Sequence, residues 1–198
     1  MPIVPDAKDW TWVLERTCDE CGYDPSAVRF DAIPGQVRSS AAALTAALDD
    51  PNAAVRPDDS TWSSLEYAAH VRDVCRIFEH RLDITRTGSA RPGPVLAGYD
   101  ASVVIDESGI PMFANWDQDE TALAEDYAAQ RIAQVAADLR DAAENTARAY
   151  ESVPAAELDR PAKRSNGSLF TVRTLGSYFL HDLVHHVHDV EKRSAATA

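Results

Sequence analysis

The chain has 198 residues, of which 45% are hydrophobic and 26% are charged, and its formal net charge at pH 7 is −13. A chain of this length buries enough apolar surface to form a single domain. The negative charge argues against nucleic-acid partners and anionic lipid surfaces, because both are bound through basic groups that meet phosphates.

No apolar run reaches about 18 residues, so the sequence predicts no membrane-spanning helix. The N-terminus lacks the basic stretch and apolar run of a secretory signal, and the expected location is therefore the cytoplasm. We expect one domain over residues 1–198, with an N-terminal extension over 1–35, a helical body over 36–190 and a frayed tail over 191–198.

The extension contains Cys18-Asp-Glu-Cys21-Gly22, with the C-x-x-C spacing of zinc knuckles and redox pairs. A structural zinc ion needs two further ligands, which His80 or an acidic side chain would have to supply. A thioredoxin-like pair needs a strand before it, whereas a short apolar segment precedes these cysteines. Two ordinary reduced thiols, half of a second metal site and a redox pair all remain open. No stable disulfide is expected in a reducing cytoplasm.

Two helices are predicted in the first half of the body. Apolar residues at helical spacing predict the first helix over residues 36–48. Ser63 followed by Glu66 forms a capping-box pattern, which predicts that the second helix begins at Ser63 and continues to residue 85. The buried stripe of this second helix is expected to contain Tyr67, Val71, Val74 and Phe78.

His70 lies on the same inward side of the second helix. A lone inward histidine is most simply a core residue bonded to a carbonyl group. A metal-binding role is favoured here because a later helix offers a histidine pair. Asp73, one turn after His70, is placed either to orient a metal-bound imidazole or to pair with Arg76.

The connection over residues 88–116 is rich in proline and glycine, so it is not helical. Residues 103–109 within it are expected to form a small hairpin. A connection of this length in a bundle is typical of a crossover between helices. It ends at Asn115-Trp116-Asp117, a motif that suits either a pocket rim or a loop anchor with a helix cap.

The third helix is predicted over residues 119–151, with Asp117 as its cap and an acidic first turn. Its partial apolar stripe includes Leu123 and Tyr127. The following gap, 153–170, again contains proline and glycine and is expected to rim the same end of the bundle. The fourth helix is predicted over residues 171–190.

Four of the six histidines lie in the fourth helix. His181 and His185 are one turn apart on one face, and imidazoles at this spacing can bind one divalent ion. His188 extends that stripe, whereas His186 is rotated by about 100° and is expected to contribute little. A catalytic ion usually has three protein ligands, and His70 is the best third donor. The predicted metal ligands are therefore His70, His181 and His185; no catalytic residue is assigned.

In the order and spacing of these histidines, the chain resembles the DinB-like superfamily, which includes thiol-dependent maleylpyruvate isomerases and bacillithiol transferases. The resemblance covers residues 38–190 and implies an all-α four-helix bundle, arranged up-down-down-up, with a long crossover between helices two and three. It also implies that His70, His181 and His185 hold the metal. The C-x-x-C extension and the extra histidines depart from the family pattern, and they leave the sub-branch open.

The resemblance implies metal-dependent transfer or addition of a low-molecular-weight thiol to a small-molecule substrate. A metal-dependent hydrolase that activates water is one alternative, and a non-enzymatic metal-binding or stress-response protein is another. The expected cofactor is a divalent ion, with zinc or nickel favoured and iron or manganese also suited to the ligands. The sequence leaves open whether the protein is a homodimer.

Overall fold

The computed structural model describes residues 9–89 and 91–196. Five α-helices lie in these ranges: α1 (Ile33–Ala47), α2 (Ser64–Thr87), α3 (Gln118–Ala124), α4 (Ile132–Glu151) and α5 (Val172–Ala196). Helix α4 packs against α1 and α2, and α5 packs against the same two helices. The four long helices therefore form the predicted four-helix bundle.

The first, second and fourth predicted helices are present, with ends that differ by a few residues. Helix α5 ends at Ala196, six residues beyond the predicted end of the fourth helix at residue 190. Residues 1–8 of the predicted extension and 197–198 of the predicted tail lie outside the described residues. In the described part of the chain, no helix is both long enough and apolar enough to cross a membrane.

The third predicted helix is broken, although residues 119–151 contain neither proline nor glycine. Asp126 adopts a left-handed conformation with φ of 44° between α3 and α4. Next to it, Tyr127 is buried and its hydroxyl donates a 2.8 Å hydrogen bond to Asp73 of α2. This tertiary contact overrides helix propensity, which is weak for any single residue. Leu123, expected on the buried stripe, is 61% exposed.

A purely all-α fold is not confirmed, because the two long connections form a small sheet. Its strands are β1 (Val104–Ile105), β2 (Pro111–Phe113), β3 (Pro161–Arg164) and β4 (Leu169–Thr171), in the order β1-β2-β3-β4. Strands β1 and β2 are the predicted hairpin. Strand β2 also pairs in parallel with β3, Met112 opposite Lys163, so the sheet joins the long connection after α2 to the one after α4. This pairing satisfies backbone groups that loops packed on a bundle would otherwise leave unpaired.

The capping box predicted at the start of α2 is present. The Glu66 amide donates a 3.2 Å hydrogen bond to the Ser63 hydroxyl oxygen, and the Ser63 amide donates a 2.9 Å bond to the Glu66 carboxylate. The Arg56 guanidinium pairs with the same carboxylate, whose side chain is 3% exposed. These contacts fix the first turn of the helix that carries His70.

Replacing Ser63 with Ala should lower the free energy of unfolding by about 1 kcal/mol, because a first-turn amide of α2 loses its acceptor. Chemical denaturation monitored by circular dichroism measures this change. Ser39→Ala is the control, since Ser39 is exposed within α1, and its effect should stay within about 0.5 kcal/mol. Equal effects of the two substitutions would contradict a specific capping role.

Glu66 also predicts a pH dependence of stability. Burial tends to raise the pKa of this carboxyl, but the hydrogen bonds from Arg56 and Ser63 outweigh it and lower the pKa. The resulting stabilisation is present above the unfolded pKa of about 4.3 and is lost as the pH falls through the folded pKa. The stability difference between wild type and Glu66→Gln should therefore shrink below about pH 4 in denaturation measurements across acid pH. A difference independent of pH would contradict this account.

Candidate metal centre

Helix α5 carries two pairs of potential metal ligands, each with one-turn spacing. His181 and His185 form the first pair, and Asp182 and His186 form the second. Because consecutive helical residues are about 100° apart, the two pairs face different directions. The first pair faces the N-terminal extension, and the second faces α2.

The second pair meets His70, and we call His70, Asp182 and His186 the α2–α5 group. Their potential ligand atoms all lie within 4.8 Å of one another. Asp182 Oδ1 is 3.1 Å from His186 Nε2 and 4.0 Å from His70 Nε2. Ligands of a tetrahedral ion at about 2.1 Å are about 3.4 Å apart, so small side-chain movements suffice to surround an ion.

His70 is fully buried, and neither of its ring nitrogens has a hydrogen-bond partner among the described residues. The indole of Trp116 stacks on its ring with a centroid distance of 5.2 Å and an interplanar angle of 5°. Of the two roles predicted for Asp73, the structure shows the pairing with Arg76, and Arg72 pairs with the same carboxylate. A buried polar group without a partner costs about 1–3 kcal/mol. The free nitrogens of His70 therefore indicate a place for a ligand.

His186 is held from both sides by carboxylates. Its Nδ1 lies 3.2 Å from Asp189 Oδ2, while its Nε2 faces Asp182. Burial tends to lower the pKa of this imidazole, but the two hydrogen bonds outweigh burial and raise the pKa to about 9. The raised pKa favours the protonated form of His186, so an ion would bind this imidazole by displacing its proton. A carboxylate on the outer nitrogen is the usual partner of a metal-binding histidine, because it fixes the orientation of the ring.

The other two members of the α2–α5 group already have the protonation states that bind metals. Burial lowers the pKa of His70 to about 3. Burial tends to raise the pKa of Asp182, but the hydrogen bond with His186 outweighs it and lowers the pKa to about 2. A neutral imidazole and an ionised carboxylate are the forms that coordinate divalent ions.

The first pair on α5 meets both cysteines of the extension, and we call Cys18, Cys21, His181 and His185 the extension group. Their potential ligand atoms also lie within 4.8 Å of one another. The Trp10 ring packs on His181 and His185 at centroid distances of 5.5 and 5.2 Å. Burial lowers the pKa of His181 to about 4.

A pocket of about 850 Å³ borders both pairs of potential ligands on α5. Its volume is within the range of about 300–1,000 Å³ typical of small-molecule sites. Acidic side chains and aromatic rings make up more than half of its lining, including Trp62, Tyr67, Trp116, Asp117, Asp119 and Glu120. Besides the histidines, Arg164 is the one basic residue of this lining among the described residues. A second cavity, of about 920 Å³, lies between the extension and residues 153–177, and its lining includes no member of either ligand group.

The structure divides the predicted triad between the two groups: His181 and His185 lie with the cysteines, whereas His70 lies with Asp182 and His186. Asp182 and His186 were not among the predicted ligands, because the prediction rested on the H-x-x-x-H pair, although D-x-x-x-H has the same helical spacing. His188, on the same helix, belongs to neither group. Metal binding by each of these residues stays a prediction.

Two other assignments made from the sequence have clear outcomes. His80, considered as a partner for the cysteines, instead lies with its Nδ1 2.9 Å from the Tyr99 hydroxyl. The motif before α3 has both proposed roles. Asp117 caps α3 by accepting from two backbone amides, and Trp116 lines the pocket while covering His70.

Comparisons with known proteins agree with this fold. The family model of the DinB superfamily matches residues 35–190, while no curated protein matches the chain. The solved structure of YfiT from Bacillus subtilis, described as a probable metal-dependent hydrolase with an unusual four-helix bundle topology, is 14% identical. The two structures align with a TM-score of 0.60 over 84% of this chain and 87% of that one. This likeness shows a shared fold.

His70→Ala should reduce the zinc bound per chain by one ion relative to wild type, because Asp182 and His186 alone form a weak two-ligand site. Elemental analysis after equilibration with zinc and removal of free metal measures the bound amount. His188→Ala is the matched control and should bind as much zinc as wild type. A full complement of zinc in His70→Ala would exclude His70 as a ligand.

Proposed function

The chain belongs to the DinB superfamily, and from that premise we propose that it is a metal-dependent enzyme whose catalytic divalent ion is held by the α2–α5 group. The observation that carries this proposal is the buried, unpartnered ring of His70 facing Asp182 and His186. Burying such a ring costs free energy unless a ligand binds one of its nitrogens. Zinc is the preferred candidate, since two imidazoles and a carboxylate form one of its known catalytic ligand sets.

Three protein ligands distinguish a catalytic site from a closed structural one, because a coordination position remains for a reactant. When bound, a divalent ion supplies a Lewis acid and acidifies a water molecule or thiol in that position. The protein contributes the orientation of His186 through Asp189. The Trp116 ring covers one face of the His70 imidazole.

Hydrolysis is the reaction that this site supports best. The carboxylate ligand Asp182 resembles the single carboxylate of two-histidine hydrolase sites. The acidic lining of the pocket repels anions, so the expected substrate is a neutral or cationic small molecule. YfiT, which shares the fold, is described as a probable metal-dependent hydrolase, and this description is in line with the proposal.

Transfer of a low-molecular-weight thiol is the second candidate and uses the same three ligands. The observation that favours it is the aromatic wall around His70, where the Trp62 and Trp116 rings lie 5.1 and 5.2 Å from the imidazole. Sulfur makes favourable contacts with aromatic rings, so this wall suits a thiol substrate. Hydrolysis and thiol transfer differ in whether turnover requires an added thiol.

Removing the ion with a chelator should abolish turnover and leave the bundle helical, because the apolar stripes of the four long helices pack without it. Activity is measured on a panel of neutral and cationic esters and amides, and on electrophiles with added thiols, before and after zinc is restored. Circular dichroism follows helicity in the same samples. We expect His70→Ala to lower kcat/KM by more than about 100-fold, since even outer-shell substitutions cost 10–100-fold.

His188→Ala is again the control and should keep wild-type turnover. Activity that persists in the metal-free protein would show that the ion takes no part in catalysis. Metal binding without turnover on any substrate of the panel would instead favour the non-enzymatic metal-binding alternative.

A further inference from the structure

The extension group brings together two thiols and two imidazoles from segments more than 150 residues apart in the chain, as the separation of 167 residues between Cys18 and His185 shows. We infer that Cys18, Cys21, His181 and His185 bind a second ion, zinc, in a closed four-ligand site that fastens the N-terminal extension to α5. This site is separate from the α2–α5 group and does not depend on the enzymatic role proposed above.

The cysteine half of the site is a tight turn of the backbone. The Gly22 amide donates a 2.8 Å hydrogen bond to the Cys18 carbonyl, and the Cys18 amide donates a 2.8 Å bond to the Tyr23 carbonyl. Gly22 has φ of +73°, a left-handed conformation that glycine adopts without strain. This turn lets both thiols of the C-x-x-C motif face the same point.

The histidine half is the i, i+4 pair on α5. His185 Nδ1 lies 3.8 Å from Cys18 Sγ, close to the sulfur–nitrogen separation of about 3.6 Å expected around a tetrahedral zinc ion. The opposite nitrogen, Nε2, lies 3.8 Å from a carboxylate oxygen of Glu20. A carboxylate on that side is the usual outer partner of a metal-binding histidine.

A second observation points to a ligand at this place. His181 Nε2 is buried and has no hydrogen-bond partner among the described residues. Tyr23 does not supply one, because its hydroxyl is bonded to Ser177 and its ring lies edge-on to His181. His181 also belongs to the same group as two thiols, and thiols are soft ligands that select zinc over harder ions.

The composition of the two groups assigns them different tasks. Two thiolates and two imidazoles fill all four positions around zinc, which is the pattern of structural sites. The α2–α5 group has only three protein ligands and includes a carboxylate. The closed site would hold Trp10 against His181 and His185, at the edge of the pocket. Its task is thus to hold the extension where it completes the pocket wall.

The test is the zinc content of the full-length protein, together with cobalt substitution. Wild type should bind two zinc ions per chain, and Cys18→Ser and Cys21→Ser should each bind one. Cys75→Ser, which alters the buried cysteine of α2 outside both groups, should still bind two. With cobalt(II), wild type and His70→Ala should show the near-ultraviolet band of thiolate-to-cobalt charge transfer, and Cys18→Ser should lose it.

The same samples give the outcomes that would overturn the inference. Unchanged zinc content in both cysteine variants would exclude the site, as would a wild-type cobalt complex without the thiolate band. If the cysteine variants fail to fold, the alternative test is alkylation of the wild-type cysteines with and without zinc. Zinc should protect Cys21, the half-buried thiol of the pair, from alkylation. Equal labelling of Cys21 with and without zinc, or a Cys18–Cys21 disulfide in zinc-loaded protein, would refute the proposal.

A wild-type protein with a single zinc ion and the thiolate band would support this site while contradicting ion binding by the α2–α5 group. A single zinc ion that is lost in His70→Ala and retained in Cys18→Ser would support ion binding by the α2–α5 group and contradict the site in the extension group. The two proposals can therefore fail separately.

Discussion

The 100° turn between successive helical residues is the constraint on which the two ligand groups depend. His181 and His185 share one face of α5, and Asp182 and His186 share the next. In the motif H-D-x-x-H-H, the pair that begins at the first residue therefore faces the extension, and the pair that begins one residue later faces α2. One helix can serve two chemically different groups without a bend, provided that elements on two sides supply the remaining side chains.

The helix that supplies His70 also carries a buried charged group, which needs partners of its own. Asp73 is fully buried in the middle of α2, and it is balanced by Arg72, Arg76 and the Tyr127 hydroxyl. This network anchors the break between α3 and α4 against the helix that carries His70. A buried charge is tolerated only when it is paired and hydrogen-bonded, so the irregular segment at Tyr127 is part of what holds α2 in place.

The parts of the fold that could be predicted are those encoded by local sequence. The pair Ser63 and Glu66 marks the start of α2, and Asp117 marks the start of α3, because caps depend on neighbouring residues only. The break at Asp126 could not be predicted, since it depends on a contact between Tyr127 and a residue 54 positions away. The β3–β4 hairpin was missed even though Asn166-Gly167 is a strong turn signal.

The same distinction applies to the candidate site. Helical spacing identified His181 and His185 as a pair and His70 as an inward residue. Which of them face each other depends on the rotation of α5 relative to α2 and on the path of the extension, and neither is encoded in local periodicity. The pairing of Cys18 with His185 spans 167 residues, a separation at which spacing rules carry no information.

Asp189 has a position that connects the two groups. One carboxylate oxygen lies 3.2 Å from His186 Nδ1, and the other lies 3.9 Å from His185 Nε2. A proton or ion gained by one imidazole changes the charge that this carboxylate presents to the other. Thermodynamic linkage requires that influence to be reciprocal, with the same coupling free energy in both directions. If both groups hold ions as proposed, the extension group and the α2–α5 group would therefore influence each other's ion binding through the Asp189 carboxylate.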